Sequence, residues 1–345
     1  MQKILLVGGG GYVGSVLAQE LVERGYAVRI LDRFYFGRQG IESICDRVEV
    51  IEGDMRRPPA EIFADVHTVI NIGGLSNDPT AEYNPKANHE MNTVASITLA
   101  KLCQERGVPR YLFASSASIY DRGVADEERD VLLDEASDVD PRAAYSSSKY
   151  AAERELLAMA SPNFTVVAMR KGTLYGFSPR MRYDLVVNTF VKDALSRGYM
   201  MLHFGGEMWR PLADVRDAAQ AYILLLQADA KKVNGQIFNL VYRNFRISEV
   251  ALRVRDALKG VGVNADVRTD YSYKGVRNYR VSGRKMEVTL NFRPAVSIEE
   301  SVQNMVEEIR RLNYGYFDNP RYYNIRWMRA LEEAQHVIAA TGSVF

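Results

Sequence analysis

At 345 residues, with 47% hydrophobic and 25% charged positions, the chain can bury one large core, or one core and a smaller lobe. Its 44 Lys and Arg against 43 Asp and Glu leave a formal net charge of +1, which gives no ground for a nucleic acid or an anionic membrane as general partner. No stretch approaches the roughly 18 uninterrupted apolar residues of a membrane span, and the run Ile4 to Val7 is too short for a signal segment, so a cytoplasmic protein is expected.

In chain order, the first half alternates short apolar runs with longer amphipathic stretches. Strands are predicted at Ile4–Val7, Val28–Leu31, Val48–Ile51, Thr68–Ile72, Tyr111–Ala114 and Thr165–Met169, each short and β-branched enough to be covered on both faces. Helices are predicted at Gly14–Arg24, Asn92–Arg106 and Tyr145–Met159. This alternation implies βαβ units and a Rossmann-type, doubly wound parallel α/β sheet. Beyond about Gly176 the pattern loosens. Phe177–Tyr183 is rich in Pro and Arg, helices recur at Leu185–Ser196, Val215–Gln227, Ser248–Leu258 and Ser297–Leu312, and a strand is predicted at Ile237–Leu240. The expected division is a dinucleotide-binding domain over residues 1–176 and, over 177–345, a smaller C-terminal substrate-binding lobe with segments returning to the sheet. The aromatic tail Tyr314–Phe345 is expected to pack or to contact a second copy.

Cys45 and Cys103 form no CxxC pair, and His67, His89, His203 and His336 lack metal-ligand spacing. Neither a disulfide framework nor a metal site is expected.

The first chemical signal is Gly8-Gly9-Gly10-Gly11-Tyr12-Val13-Gly14, a GxxGxxG turn between a strand and a helix. Glycine lets the backbone approach a pyrophosphate, and the helix N-terminus supplies free N–H donors. Gly8 and Gly11, with Tyr12 and Val13 beside them, would admit the phosphates, and Gly14 the close helix packing. Asp32, at the end of the second strand, is placed to accept from an adenosine ribose. Its charge favours NAD, while Arg33 next to it leaves NADP open. After the third strand, Asp54 is a candidate acceptor for the adenine amino group, with Met55 beside it.

The second signal is Tyr145-Ser146-Ser147-Ser148-Lys149. Residues four apart share a helix face, so an ammonium would stabilise a phenolate and tune Tyr145 as a proton shuttle. Lys149 is also placed to hold a nicotinamide ribose. Upstream, Ser115-Ser116-Ala117-Ser118-Ile119-Tyr120 follows a strand at the carboxyl edge where such sheets bind ligands, and a serine there can donate to a sugar oxygen.

With these motifs in this order, the chain resembles the extended short-chain dehydrogenases/reductases, and among them the NAD-dependent epimerase/dehydratase group of nucleotide-sugar enzymes. The resemblance runs from Gly8 to about Ser301 and includes Arg170–Gly176 and Trp209–Val215. It implies Ser116 as hydroxyl donor, Tyr145 as acid/base, and Ile72, Gly73, Ser76 and Asn92 as cofactor wall. It also implies Thr173 and Arg210 as substrate contacts, Arg277 as a second phosphate candidate, and a homodimer formed through the helices at Asn92–Arg106 and Tyr145–Met159. Thr173 replaces the usual Asn, Gly172 a larger residue and Asp121 the usual Gly. The acidic stretch from Asp121 to Pro141 is expected to be a solvated excursion.

The family's dehydratases and decarboxylases place carboxylates in the segment matching Ser116-Ala117-Ser118, where this chain has none. Hydride exchange with one proton shuttle remains, as in an epimerase or an NAD(P)H-dependent keto-sugar reductase. A non-catalytic cofactor-binding module is the alternative of another class. The retained Ser116, Tyr145 and Lys149 argue against it.

Overall fold

The apolar runs of the first half do form one sheet. In the computed structural model, which describes residues 2–121, 131–272 and 277–344, seven parallel strands lie in the order Gln236–Leu240, Thr165–Lys171, Arg110–Ser116, Val66–Asn71, Lys3–Val7, Ala27–Asp32, Glu49–Glu52. The chain starts in the middle, winds outward to Glu49–Glu52, then crosses back to pair Val66–Asn71 with the other side of Lys3–Val7. That reversal opens a crevice at the carboxyl edge, between Gly8 and Gly73.

Each face of the sheet is sealed by helices. Leu17 and Leu21 of Tyr12–Glu23 pack with Ala218 and Tyr222 of Val215–Gln227 on one side. On the other, Leu99 and Cys103 of Ala95–Glu105 pack with Ala152 and Leu156 of Ala144–Ala158. Strands buried on both faces need continuous apolar runs, which is why they were legible. The helix expected from Asn92 begins two residues earlier, as a π-helical segment Glu90–Val94.

The second lobe has its own core, in which Tyr183, Phe190, Val302, Met305 and Tyr322 meet. A three-stranded sheet (Arg243–Arg246, Trp209–Asp214, Thr173–Tyr175) joins it to the carboxyl edge of the main sheet. Leu240 pairs with Lys171 in the main sheet, so the chain returns there after Trp209–Asp214.

Of the acidic stretch, residues 122–130 lie outside the described residues, and the rest, exposed or half-exposed throughout, is tethered at two points. Leu132–Leu133 pairs with Arg280–Val281, and Glu135 accepts a 2.7 Å hydrogen bond from the Asn239 N–H. The tail packs, with Tyr314 and Tyr322 in the second core, and its helix Asn324–Thr341 also contributes to the wall of the main cleft. Both cysteines are free, Cys45 exposed and Cys103 buried. Among the described residues no helix is long and apolar enough to cross a membrane.

Candidate active site

The glycine turn is shaped by close contacts. Gly8 has φ of +85°, and a Cβ there would lie 2.8 Å from the Gly73 Cα; one at Gly14 would lie 2.1 Å from the Gly8 carbonyl oxygen. A side chain at either position would push the two strand ends, or the strand and helix, apart. The helix Tyr12–Glu23 has no side-chain cap, so its first N–H groups face the cleft with the helix dipole behind them.

Asp32 accepts from the N–H of Gly10 at 2.9 Å and of Phe34 at 2.7 Å, which ties the glycine turn to the end of the second strand. Burial raises its carboxyl pKa against the pull of those hydrogen bonds. Arg33 is not free beside it, since its guanidinium pairs with Asp54 at 2.9 Å. Asp54 also takes Arg56 at 2.6 Å; burial works against its charge, but the arginines hold its pKa below the ordinary value. The expected adenine acceptor is thus engaged by two cations, and Arg56 reaches the cleft wall in its place.

Ile72 and Gly73 line the cleft, and Met55 is buried beneath Gly73. Asn92 is fully buried and acts as a prop, its Nδ2 donating to the Leu75 carbonyl at 2.9 Å and to Asn88 at 2.6 Å. Ser76 accepts from Arg182 at 3.1 Å and from Asn324 at 2.9 Å, which ties it to the second lobe.

At the reacting centre, Ser116 ends the strand Arg110–Ser116 and Tyr145 and Lys149 come from the first turns of Ala144–Ala158. All three line the same cleft, of about 1150 Å³. The Ser116 hydroxyl bonds Tyr145 and lies 2.9 Å from the Ser118 hydroxyl. The YxxxK spacing predicts a tyrosine tuned downward by the lysine, but here burial raises the Tyr145 pKa, opposed by Ser116 and by the charge of Arg182. Burial also lowers the Lys149 ammonium to about 7. Its Nζ sits 5.0 Å from the centre of the Phe113 ring.

Beneath this centre Arg170 and Glu153 form a buried ion pair at 2.5 Å. Ser115 donates to Glu153 at 2.6 Å, and Arg170 donates to Tyr120 at 2.7 Å. The pair therefore clamps the helix carrying Tyr145 to the two strands behind it.

Arg210 and Thr173 face the cleft from the second lobe. Arg210 donates to the carbonyls of Trp209, at 2.8 Å, and Arg277. Arg277 pairs with Asp78 and, at 3.5 Å, with Asp121. Sequence reading offered it as a phosphate ligand; the structure makes it the counter-ion of two carboxylates.

Residues 4–240 match the sequence profile of the NAD dependent epimerase/dehydratase family, which covers well over half of the chain. The chain belongs to that family. It is accordingly an enzyme of the nucleotide-sugar epimerase, decarboxylase and dehydratase group, and its cofactor is NAD. The residues present fit that cofactor, because the uncapped helix N-terminus meets a stretch of cleft wall, Gly8, Gly11 and Gly14, that carries no side chains and so lets a pyrophosphate approach the backbone.

Family relatives include a UDP-N-acetyl-alpha-D-glucosaminuronate decarboxylase of Bacillus cytotoxicus, 25% identical, with 90% of this chain and 98% of the relative covered. Of solved structures, the UDP-N-acetylglucosamine 4-epimerase of Methanobrevibacter ruminantium superposes with a TM-score of 0.80 at 20% identity, over 90% of this chain and 99% of that one. The UDP-glucuronic acid 4-epimerase of Bacillus cereus, solved with UDP-glucuronic acid and NAD, gives 0.78 at 20% identity, over 90% and 100%.

For this member of the epimerase/dehydratase family, sequence reading missed Arg56, Lys171, Arg182 and the helix Asn324–Thr341, all on the cleft wall. Arg182 lies within the Pro- and Arg-rich Phe177–Tyr183 stretch, which was the signal available. Trp327 donates to the Tyr35 carbonyl, and Arg180 to Asn324 at 2.6 Å, fixing the helix across the cleft.

Proposed function

We propose that the enzyme is a nucleotide-sugar epimerase that works by transient oxidation of a sugar hydroxyl. The observation that carries this reading is the pair of hydroxyls Ser116 and Ser118, 2.9 Å apart beside Tyr145, in a segment without a carboxylate. The resemblance implies that a dehydratase or decarboxylase would place an acid there. Of the carboxylates on the cleft wall, Asp78 and Asp121 are held by Arg277 and Asp184 by Arg182, and so are poorly placed to serve as free acids.

Bound NAD supplies a reversible hydride acceptor. Tyr145, as phenolate, removes the hydroxyl proton and returns it when the ketone is reduced from its other face. Ser116 donates to the reacting oxygen and stabilises the phenolate. Lys149 meets the nicotinamide ribose, Asp32 the adenosine ribose, and Arg210 the diphosphate of the substrate. A homodimer through the adjacent helices Ala95–Glu105 and Ala144–Ala158 is the expected assembly, to be checked by light scattering.

The test is incubation of the pure protein with UDP-, dTDP-, GDP- and CDP-sugars and uronates, followed by NMR of the products. An isomer formed without added reductant is expected. Net consumption of NAD(P)H would establish the keto-sugar reductase instead, and release of carbon dioxide the decarboxylase. Tyr145→Phe is expected to lower turnover about 10²–10⁴-fold while leaving dinucleotide binding within a few-fold.

A further inference from the structure

Lys171 is the last residue of the strand Thr165–Lys171 and is the direct ladder partner of Ser116. Successive strand residues point to opposite faces. Arg170 turns to Glu153, while Lys171 turns to the helix Val215–Gln227, where its Nζ lies 3.2 Å from the Tyr222 hydroxyl. Tyr222 is fully buried and lies within electrostatic reach of Tyr145. A second lysine–tyrosine pair therefore stands near Tyr145 and Lys149, and Lys171 lines the same cleft.

The charge at this point is one-sided. The charged group felt by Lys171 is Lys149, and among the described residues neither ammonium has a carboxylate partner. A buried ammonium without a counter-ion is costly to keep, and burial accordingly lowers the pKa of both amines, to about 7 for Lys149 and well below the ordinary value for Lys171, so a fold that places two together invites a functional reason.

We propose that Lys171 is a second cationic element of the reacting centre that biases bound nicotinamide dinucleotide toward its reduced form. The inference rests on the reading that Ser116, Tyr145 and Lys149 surround the reacting carbon. In the oxidation half of that reaction the sugar carbinol loses a hydride to NAD and its hydroxyl proton to Tyr145, becoming a ketone. The nicotinamide ring thereby passes from one positive charge to none. An ammonium beside it is repelled by the oxidised ring and not by the reduced one. The sign is the same whether Lys171 is charged throughout or gains its proton as the hydride arrives, because removing a positive neighbour always favours the protonated lysine. The consequence is a chain that holds its hydride firmly until the ketone takes it back. From the two flanking helices, Lys149 acts on Lys171 through its charge and Tyr222 through the 3.2 Å contact, and Tyr145 acts in turn on Tyr222.

The experiment measures equilibrium affinity rather than turnover. Cofactor-free protein is titrated at pH 6.5 with NAD and, separately, with NADH, by calorimetry and nicotinamide fluorescence, for the wild type, Lys171→Met, Lys171→Gln and Lys171→Arg. Circular dichroism and the melting midpoint verify folding, and the glutamine variant keeps a hydrogen bond for Tyr222. The expected result is that Kd(NAD)/Kd(NADH) falls at least fivefold in both neutral variants and stays within twofold of the wild type in Lys171→Arg. A ratio unchanged within twofold in a folded neutral variant, with both dinucleotides still bound, would overturn the role of Lys171 alone. Failure of the wild type to bind either dinucleotide would overturn the proposed reaction as well.

Discussion

The carboxylate of Asp32 accepts a 2.9 Å hydrogen bond from the N–H of Gly10, so the end of the second strand holds the turn that follows the first. Sequence pattern assigns Asp32 to a ribose alone; the structure gives it this second task, with each oxygen already bonded to one backbone N–H. Each oxygen keeps a lone pair for a ribose hydroxyl. Asp32→Ala is therefore expected to weaken NAD binding at least tenfold and to cost about 1–2 kcal/mol of stability through the orphaned Gly10 and Phe34 donors. Calorimetric titration and urea unfolding measure the two effects. NAD affinity lost with no change in stability would show that the turn does not depend on Asp32.

Glu153 and Arg170 carry the next prediction. Both side chains are nearly inaccessible, at 1% and 3% exposure, so removing one partner strands the other's charge. Glu153→Ala should destabilise the protein by about 3–5 kcal/mol, as for other broken buried pairs. The double variant Glu153→Leu/Arg170→Met should be more stable than either single truncation, because it leaves no buried ion. Urea unfolding of the four proteins checks this. Additive losses in the double variant would mean that the two charges act independently.

How much of this was legible follows from burial. The sheet strands are covered on both faces and so appear as unbroken apolar runs, such as Ile4–Val7. Glycines, Tyr145 and Lys149 were legible because a fixed local spacing carries their chemistry. Arg182 and Lys171 were not, since neither belongs to a spaced motif and each acquires its position only when separate elements pack. For Arg277 the sequence shows the charge that would suit a phosphate but not its partner Asp78, which lies some two hundred positions away. The helix Asn324–Thr341 has apolar residues at helical spacing, such as Met328 and Leu331, but nothing in that pattern says that they line a cleft rather than a core.

That helix gives a third prediction. It is fixed at its start by Asn324, which donates to Ser76 at 2.9 Å, and by Trp327, which donates to the Tyr35 carbonyl. Tyr35 and Phe36 lie on the same cleft wall as Gly11 and Arg56. Trp327→Ala should loosen the helix with a global cost of at most about 1 kcal/mol, since local opening need not disturb the main core. NAD should then dissociate at least tenfold faster in stopped-flow displacement, and hydrogen exchange over residues 324–341 should rise. Unchanged dissociation with raised exchange would separate the helix from cofactor retention.

Lys149 sets a dependence of stability on pH. Its ammonium pKa falls from 10.5 to about 7 because burial penalises the charge. Between those two values the unfolded chain binds the proton and the folded chain does not, so stability rises with pH across that window. Below about pH 7 the lysine is charged in both states and the full desolvation penalty is present. Lys171 is shifted in the same direction, so the comparison must isolate one lysine. The cofactor-free wild type should gain melting midpoint from pH 7 to pH 9 relative to Lys149→Met, which lacks the titrating group. Scanning calorimetry of both proteins across that range reads the difference directly. Parallel curves would place the Lys149 ammonium in a solvated setting.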